Sequence, residues 1–173
     1  MKNKYITALM ALPLLAPLVL GACSSTPPAP GEGFAIYLTL NNIPVSEMHL
    51  VKTYYIPPMP YISPDDILSY DKATNVITLT PPAYQKVLAL PVPMDGLAFV
   101  ACVDKKPIYW GAFWLPISSQ SFSGVTILLN LADTISNRIQ IGLGYPDQSY
   151  FQGKDPRSNQ VIMAALEKAG KLK

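Results

Sequence analysis

The sequence predicts an α+β fold, with one mixed or antiparallel sheet of about six strands and two helices on one face. Three observations carry this expectation. Short apolar runs with alternating or β-branched character recur between clusters of Gly, Pro, Asn and Asp, the pattern that bounds strands. Two stretches, one after Thr80 and one after Asp155, change to a helical period. Strand, helix and hairpin follow one another in mid-chain, an order that suits helices laid on a sheet rather than a doubly wound fold. No internal repeat is evident at a fixed period.

Phe34 to Leu40, FAIYLTL, is the first strand, with Gly33 before it and Asn41-Asn42 after it. Glu47 to Tyr55 reads as a weaker second strand. In YYIPPMPYISP, four prolines from Pro57 to Pro64 forbid both helix and central strand, so a loop of polyproline character is expected. Ile67 to Tyr70 pairs briefly, Asn75 breaks the chain, and Val76 to Thr80 is a clear strand. Thr80-Pro81-Pro82 then offers a capping hydroxyl and prolines where a helix has no partners for its first N–H groups. Ala83, Tyr84, Val87 and Leu88 share one face of that helix, which Pro91 and Pro93 end.

Leu97 to Val103 and Pro107 to Leu115 flank the polar break Asp104-Lys105-Lys106 and form a hairpin. Ser118 to Gly124 is a polar loop, and Val125 to Leu131 is an apolar run of either strand or helix. Arg138 to Tyr145 is a strand, since Ile139, Ile141 and Leu143 alternate with Gln140, Gly142 and Gly144. The last helix takes Asp155 as its cap and Pro156 as its first residue. Val161, Ile162, Ala165, Leu166 and Ala169 form its apolar stripe, and Gly170 stops it.

Ahead of all this, Lys2 and Lys4 precede an uncharged run from Tyr5 to Ala22, close to the shortest length that crosses a hydrocarbon core of roughly 30 Å. Pro13 and Pro17 interrupt a helix there, which an export signal tolerates better than a lone permanent span. Basic residues, an apolar stretch and then small residues is the build of a secretory signal. Its end, Leu20-Gly21-Ala22-Cys23, resembles the lipobox of bacterial lipoproteins. That resemblance implies a diacylglyceryl group on the Cys23 thiol, cleavage after Ala22 and acylation of the new amino terminus. The expected organisation is a signal peptide at 1–22, a lipidated Cys and Pro/Ser/Gly tether at 23–33, and a single domain at 34–173. Ser24 is not the Asp that resembles an inner-membrane retention signal. The expected location is the bacterial cell envelope: the outer membrane facing the periplasm where there are two membranes, otherwise the outer face of the cell membrane.

A coarser resemblance covers Asp66-Ile67, VITLT, the helix after it and GLAFVACVDKKPIYWGAFW. This order of strand, helix and hairpin is similar to the periplasmic head of SecD, the Sec translocon accessory protein. It spans about sixty residues and carries no diagnostic site motif, so it implies a fold feature and no translocation activity.

Composition narrows the function classes. Without Lys2 and Lys4 the 13 basic residues become 11, against 11 acidic ones, so the sequence pI of about 8.5 is partly a property of the signal. With no run of Lys or Arg, the chain has no electrostatic footprint for nucleic acid. Cys23 is assigned to lipid, and Cys102 sits in the apolar run LAFVACV, where we read it as a buried thiol rather than an interchain disulfide. No motif for a cofactor is present.

His49 is the one histidine, so a Ser-His-Asp site would rest on it entirely, and no G-x-S-x-G surrounds any serine. We read it as a surface or structural histidine. Asp65 and Asp66, with Asp71 nearby, could be paired carboxylates, but Pro64-Asp65-Asp66 also has turn chemistry, and we prefer the turn. The calcium-loop spacing fails because Tyr70 holds the position that needs Gly. Met48, Met59 and Met94 are too scattered for a soft-metal site.

The aromatics offer more. Tyr54, Tyr55 and Tyr61 bracket the proline loop, while Tyr150 and Phe151 lie in the long loop before the last helix; these five are the candidate binding residues. Trp110 and Trp114, four apart in a strand, face one side, and we read them as core. Lys154 and Arg157, near the last helix start, are candidate anion-binding residues. The expected function is therefore a lipid-anchored, non-catalytic binding or accessory module, whose partner is an envelope protein or a cell-wall component. The alternatives are a carrier or chaperone for an apolar ligand, and a hydrolase centred on His49 or on Asp65 and Asp66.

Overall fold

The computed structural model describes residues 32–173; the signal, Cys23 and most of the tether lie outside them. Seven strands form one mixed sheet: β1 (Phe34–Leu38), β2 (Ile67–Asp71), β3 (Val76–Leu79), β4 (Leu97–Val103), β5 (Lys106–Trp114), β6 (Phe122–Leu128) and β7 (Arg138–Tyr145). Their spatial order is β1-β4-β5-β6-β7-β3-β2. Every neighbouring pair is antiparallel except β5 and β6, which run parallel with Gly111 opposite Val125. Two helices, α1 (Pro81–Leu88) and α2 (Gln160–Lys168), lie on one face, so the expected α+β architecture is the observed one. The run β3, α1, β4, β5 contains the strand, helix and hairpin read from the sequence.

The helix-covered face holds the larger core. Tyr84 and Val87 of α1 and Ile162 and Leu166 of α2 pack with Phe99, Phe113, Ile127 and Ile141 of the sheet, all nearly solvent-free. The sheet curls until its outermost strands meet: the rings of Phe34 on β1 and Tyr70 on β2 are edge-to-face with centroids 6.4 Å apart. Outer edges would expose unpaired backbone groups, a hazard that folds cover. Here Ile62 pairs with Ile36 on β1, and Leu172 pairs with Tyr70 on β2. Both edges are thus occupied by short segments of the same chain.

The opposite face carries a second core of Tyr37, Val100, Cys102, Ala112, Trp114 and Tyr145. It is covered by a 3₁₀ turn, Val45–Leu50, and by the irregular chain after it. This corrects the second strand expected from Glu47 to Tyr55. Pro44 starts the turn, and Val45 and Met48, three apart and therefore on one row of a three-residue turn, are the residues that bury. Cys102 is fully buried, as expected, and burial foremost, then the nearby Glu32 carboxylate, pushes its thiol up to about 12. It is neither ionised at neutral pH nor open to a partner.

Several boundaries shift for local reasons. β1 stops at Leu38 rather than Leu40, because the Thr39 hydroxyl accepts the Ile43 N–H and the chain turns there. Thr80 is the cap position of α1, yet its hydroxyl accepts no cap bond; Pro81 and Pro82 leave no N–H in the first two places to donate one. The apolar run at 125–131 proves to be strand only as far as Leu128, and that strand begins at Phe122, inside the expected polar loop. Asp104 and Lys105 both take positive φ, so the β4–β5 hairpin has a two-residue turn and β5 starts at Lys106. Asp155 does not cap α2. Its carboxylate accepts the Arg157 N–H two residues on, a local turn, and the cap falls to Asn159, whose side chain accepts the Val161 N–H. Val161, expected in the buried stripe, is 52 % exposed, while Ile162 and Leu166 carry the packing.

Candidate aromatic groove

β5 and β6 are joined by a short crossover, Leu115 to Ser121, that returns the chain across the second core face. The Tyr145 hydroxyl holds it, lying 2.7 Å from the Pro116 carbonyl and 3.0 Å from that of Ser118, while the Ser118 hydroxyl donates to the Met94 carbonyl. Between this crossover and the 3₁₀ turn a groove opens.

Its floor comes from β5. Trp110, Ala112 and Trp114 point to the same face because strand side chains alternate, and the small Ala112 between two indoles leaves room for a third ring. Phe122 takes it. Phe122 stacks on Trp114 with centroids 5.1 Å apart and planes 7° from parallel, and lies 5.9 Å from Trp110 at 48°. The Phe122 ring folds over Gly124, where a Cβ would come within 2.4 Å of it. Trp114 is 2 % exposed, and Trp110 is partly buried, packed against the second core.

Two hollows meet at Trp110, Gly124 and Gln152. The first, of about 490 Å³, is walled by His49, Asp95, Trp114, Gln120 and Ser121. The second, of about 380 Å³, runs past Tyr54, Phe151 and Lys154. Each falls in the usual range for a small-molecule site, roughly 300–1,000 Å³. His49 and Ser46 reach the first hollow as the row of the 3₁₀ turn next to the buried Val45 and Met48. No hydrogen bond joins His49 to Asp95 among the described residues, so the groove shows no base held by an orienting carboxylate.

The candidates read from the sequence divide. Tyr54, Phe151 and Lys154 come together in the second hollow, with burial raising the Tyr54 phenol above its ordinary value. Tyr55 and Tyr150 are exposed elsewhere, at 67 % and 45 %. Tyr61 is tied to α1, its hydroxyl donating to the Lys86 carbonyl while the Lys86 ammonium sits 4.4 Å from its ring centre. Trp110, read as core, is the residue that joins the two hollows. Arg157 does not stand free beside Lys154: its guanidinium clasps both Asp155 oxygens, at 2.8 to 3.2 Å, and donates to the Ile141 carbonyl. Asp66 is spent on a capping box with Ser63, and Asp71 on the turn into β3, where it accepts the Ala73 and Thr74 N–H groups. Among the described residues no cluster of three or more His, Cys, Asp or Glu is placed to hold a metal ion.

No family model matches the chain, and no curated protein or solved structure matches it. The groove has to be judged on its own geometry.

Four carboxyls are held below their ordinary range, each by a donor: Asp155 by the Arg157 guanidinium, Asp133 and Asp147 by the hydroxyls of Ser136 and Ser149, and Asp71 by the Thr74 N–H. A carboxyl whose folded value is depressed contributes stability that is complete above its unfolded value, about 3.9 for Asp, and is lost as pH falls through the folded one. The urea midpoint should therefore stay level from about pH 7 to 5 and drop below about pH 4. Asp155→Asn should drop less over that acid range. A midpoint unchanged down to about pH 3 would remove this account.

Proposed function

We propose that the protein is a lipid-anchored, non-catalytic binding module of the cell envelope, and that its ligand lies in the groove centred on Trp110. The observation that supports this reading is the partly exposed Trp110, at the junction of two hollows lined by aromatic rings, amides and hydroxyls, with His49 and Asp95 in one and Lys154 in the other. Large rigid rings with a polar handle supply contact area at low entropic cost, which is what binding hot spots use. The anchor read at Leu20-Gly21-Ala22-Cys23 and the short tether after it would keep this groove close to the membrane and facing the envelope space. Among the described residues no helix is long and apolar enough to cross a membrane.

Crosslinked capture from isolated envelopes, both protein and wall material, tests the reading. The Trp110→Ala, Phe151→Ala double variant should recover about tenfold less than the parent, the loss typical of truncated aromatic anchors. Tyr150→Ala, outside the groove, should recover as much as the parent. Full recovery with the double variant would sink the reading.

A carrier for an apolar ligand has one observation in its favour, a mostly apolar groove of about 390 Å³ along α2, lined by Val161, Ala164, Ala165 and Lys168. Its floor includes Phe34 and Ile67, themselves buried core residues, so it is a surface furrow above a filled interior. The hydrolase alternative draws no support from the Asp66 capping box or from the unconnected His49.

A further inference from the structure

The furrow along α2 lies at the seam where the curled sheet brings β1 to β2, with Phe34 and Ile67 in its floor and Ala164, Ala165 and Ala169 in its α2 wall. The chain enters β1 from its rim. Glu32 and Gly33, the first described residues, both line the furrow. Gly33 is clamped to the β4–β5 turn: its N–H donates to the Asp104 carboxylate at 2.8 Å, and its carbonyl accepts the Asp104 N–H at 3.0 Å. At φ +88 it breaks the extended line of β1, so the residues ahead of Glu32 start from this rim rather than from a continuation of the strand.

The chemistry of the furrow suits those residues. A peptide laid against apolar walls leaves backbone N–H groups unpaired, each at a cost of about 1–3 kcal/mol. The segment ahead of Glu32 is Pro27-Pro28-Ala29-Pro30-Gly31, and because proline has no N–H, Pro27 to Pro30 bring only the one of Ala29. Prolines also pre-set the polyproline II form, so little freedom is lost on docking. The three alanines let a backbone come close, and Lys168 on the same wall can donate to its carbonyls.

The lengths agree as well. α2 lines the furrow from Val161 to Ala169, a rise of about 12 Å, and Pro27 to Gly31 extends over about 15 Å as polyproline II. A segment joined directly to the rim is present there at an effective concentration of roughly millimolar, so weak contacts are enough.

We propose that Pro27-Pro28-Ala29-Pro30 lies in this furrow and straps the tether to the domain. The contact joins two parts of one chain and stands without the anchor. Together with the anchor proposed above, it leaves only Ser24 to Thr26 between strap and lipid, about 10 Å of chain in place of about 25 Å, and so gives the domain a fixed stance close to the membrane.

The full-length protein carrying Ala29→Cys and Ala164→Cys is oxidised with copper phenanthroline in detergent micelles, and the crosslink is located by peptide mass mapping. Cys102 is fully buried and takes no part. The comparator joins Ala29→Cys to Lys106→Cys, exposed at the start of β5 beside the same Gly33 clamp but outside the furrow. The Ala164 pair should close about tenfold faster than the comparator. Val161→Asp puts a carboxylate on the furrow wall, at an exposed position in the first turn of α2 where a helix accepts an acid, and should remove that advantage. Replacing the prolines together, Pro27→Ser with Pro28→Ser and Pro30→Ser, should remove it too. Equal rates for the two pairs overturn the proposal, and so does an advantage that survives either Val161→Asp or the proline replacements.

Discussion

Gly96→Ala is expected to destabilise the domain by roughly 3 kcal/mol or more and to dislodge the Trp114 indole. Two effects add. Gly96 has φ +84, a left-handed conformation that costs a residue with a side chain about 1–2 kcal/mol. A Cβ there would also stand 2.3 Å from both Cε3 and Cζ3 of Trp114 and 3.3 Å from the Phe113 carbonyl. The indole has nowhere to go, because Phe122 and Tyr145 pack against it. Overfilling of this sort costs typically 1–3 kcal/mol, so the total is a large fraction of a domain's stability. Urea unfolding checks it, and Gly153→Ala separates the terms. Gly153 also has positive φ, +108, but nothing lies within 4 Å of its added Cβ, so it reads strain alone. Equal losses at both positions would mean that the contact with Trp114 contributes nothing.

Cys23→Ala is expected to move the protein from the membrane fraction to the soluble envelope fraction and to end incorporation of labelled palmitate. Each buried methylene contributes about 0.8 kcal/mol, and one acyl chain alone gives only marginal, reversible binding. The modification implied by the lipobox resemblance places several chains on one residue, so removing the thiol removes the whole attachment. Cys23 lies outside the described residues, and the expectation comes from Leu20-Gly21-Ala22-Cys23 alone. Cys102 cannot substitute for it, being fully buried in the second core. A variant that stays in the membrane fraction would show that the apolar run at 5–22 anchors the chain by itself.

Where a signal is local, the sequence declared it. Alternation in RIQIGLGY made β7 legible, and the apolar spacing after Thr80 made α1 legible, since both patterns report which side of one element is buried. The break at Asn75, which takes φ +55, was legible too, but not the part of Asp71, whose carboxylate accepts the Ala73 and Thr74 N–H groups in that turn. The last helix was recognised, but Asp155 offered the same capping chemistry as Asn159. Only the pull of Arg157 on the Asp155 carboxylate separates them.

Glu47 to Tyr55 misled because EMHLVKTYY has no clean period. Its shape is set by where Val45 and Met48 find apolar cover, which is a sheet face built from Ala35 and Tyr37 of β1 together with residues of β4, β5 and β7 far along the chain. Trp110 misled for a related reason. Spacing of four in a strand puts two tryptophans on one side, yet it does not say which of them the neighbouring strand will cover. β6 returns parallel to β5, Phe122 lands between the two rings, and Trp114 is fully buried while Trp110 is only partly so.

By itself, then, the sequence determined the strands and helices with strong periodicity and the α+β class, and it supplied the resemblance at Leu20-Gly21-Ala22-Cys23 on which the proposed envelope address rests. Those are properties of neighbouring residues. The tertiary structure decided the parallel pairing of β5 with β6, the crossover that walls the groove, and the gathering of Tyr54, Trp110, Phe122 and Phe151 around it. Those depend on contacts between distant segments, which are set by how two apolar faces of one curled sheet are each covered, and no local pattern encodes that.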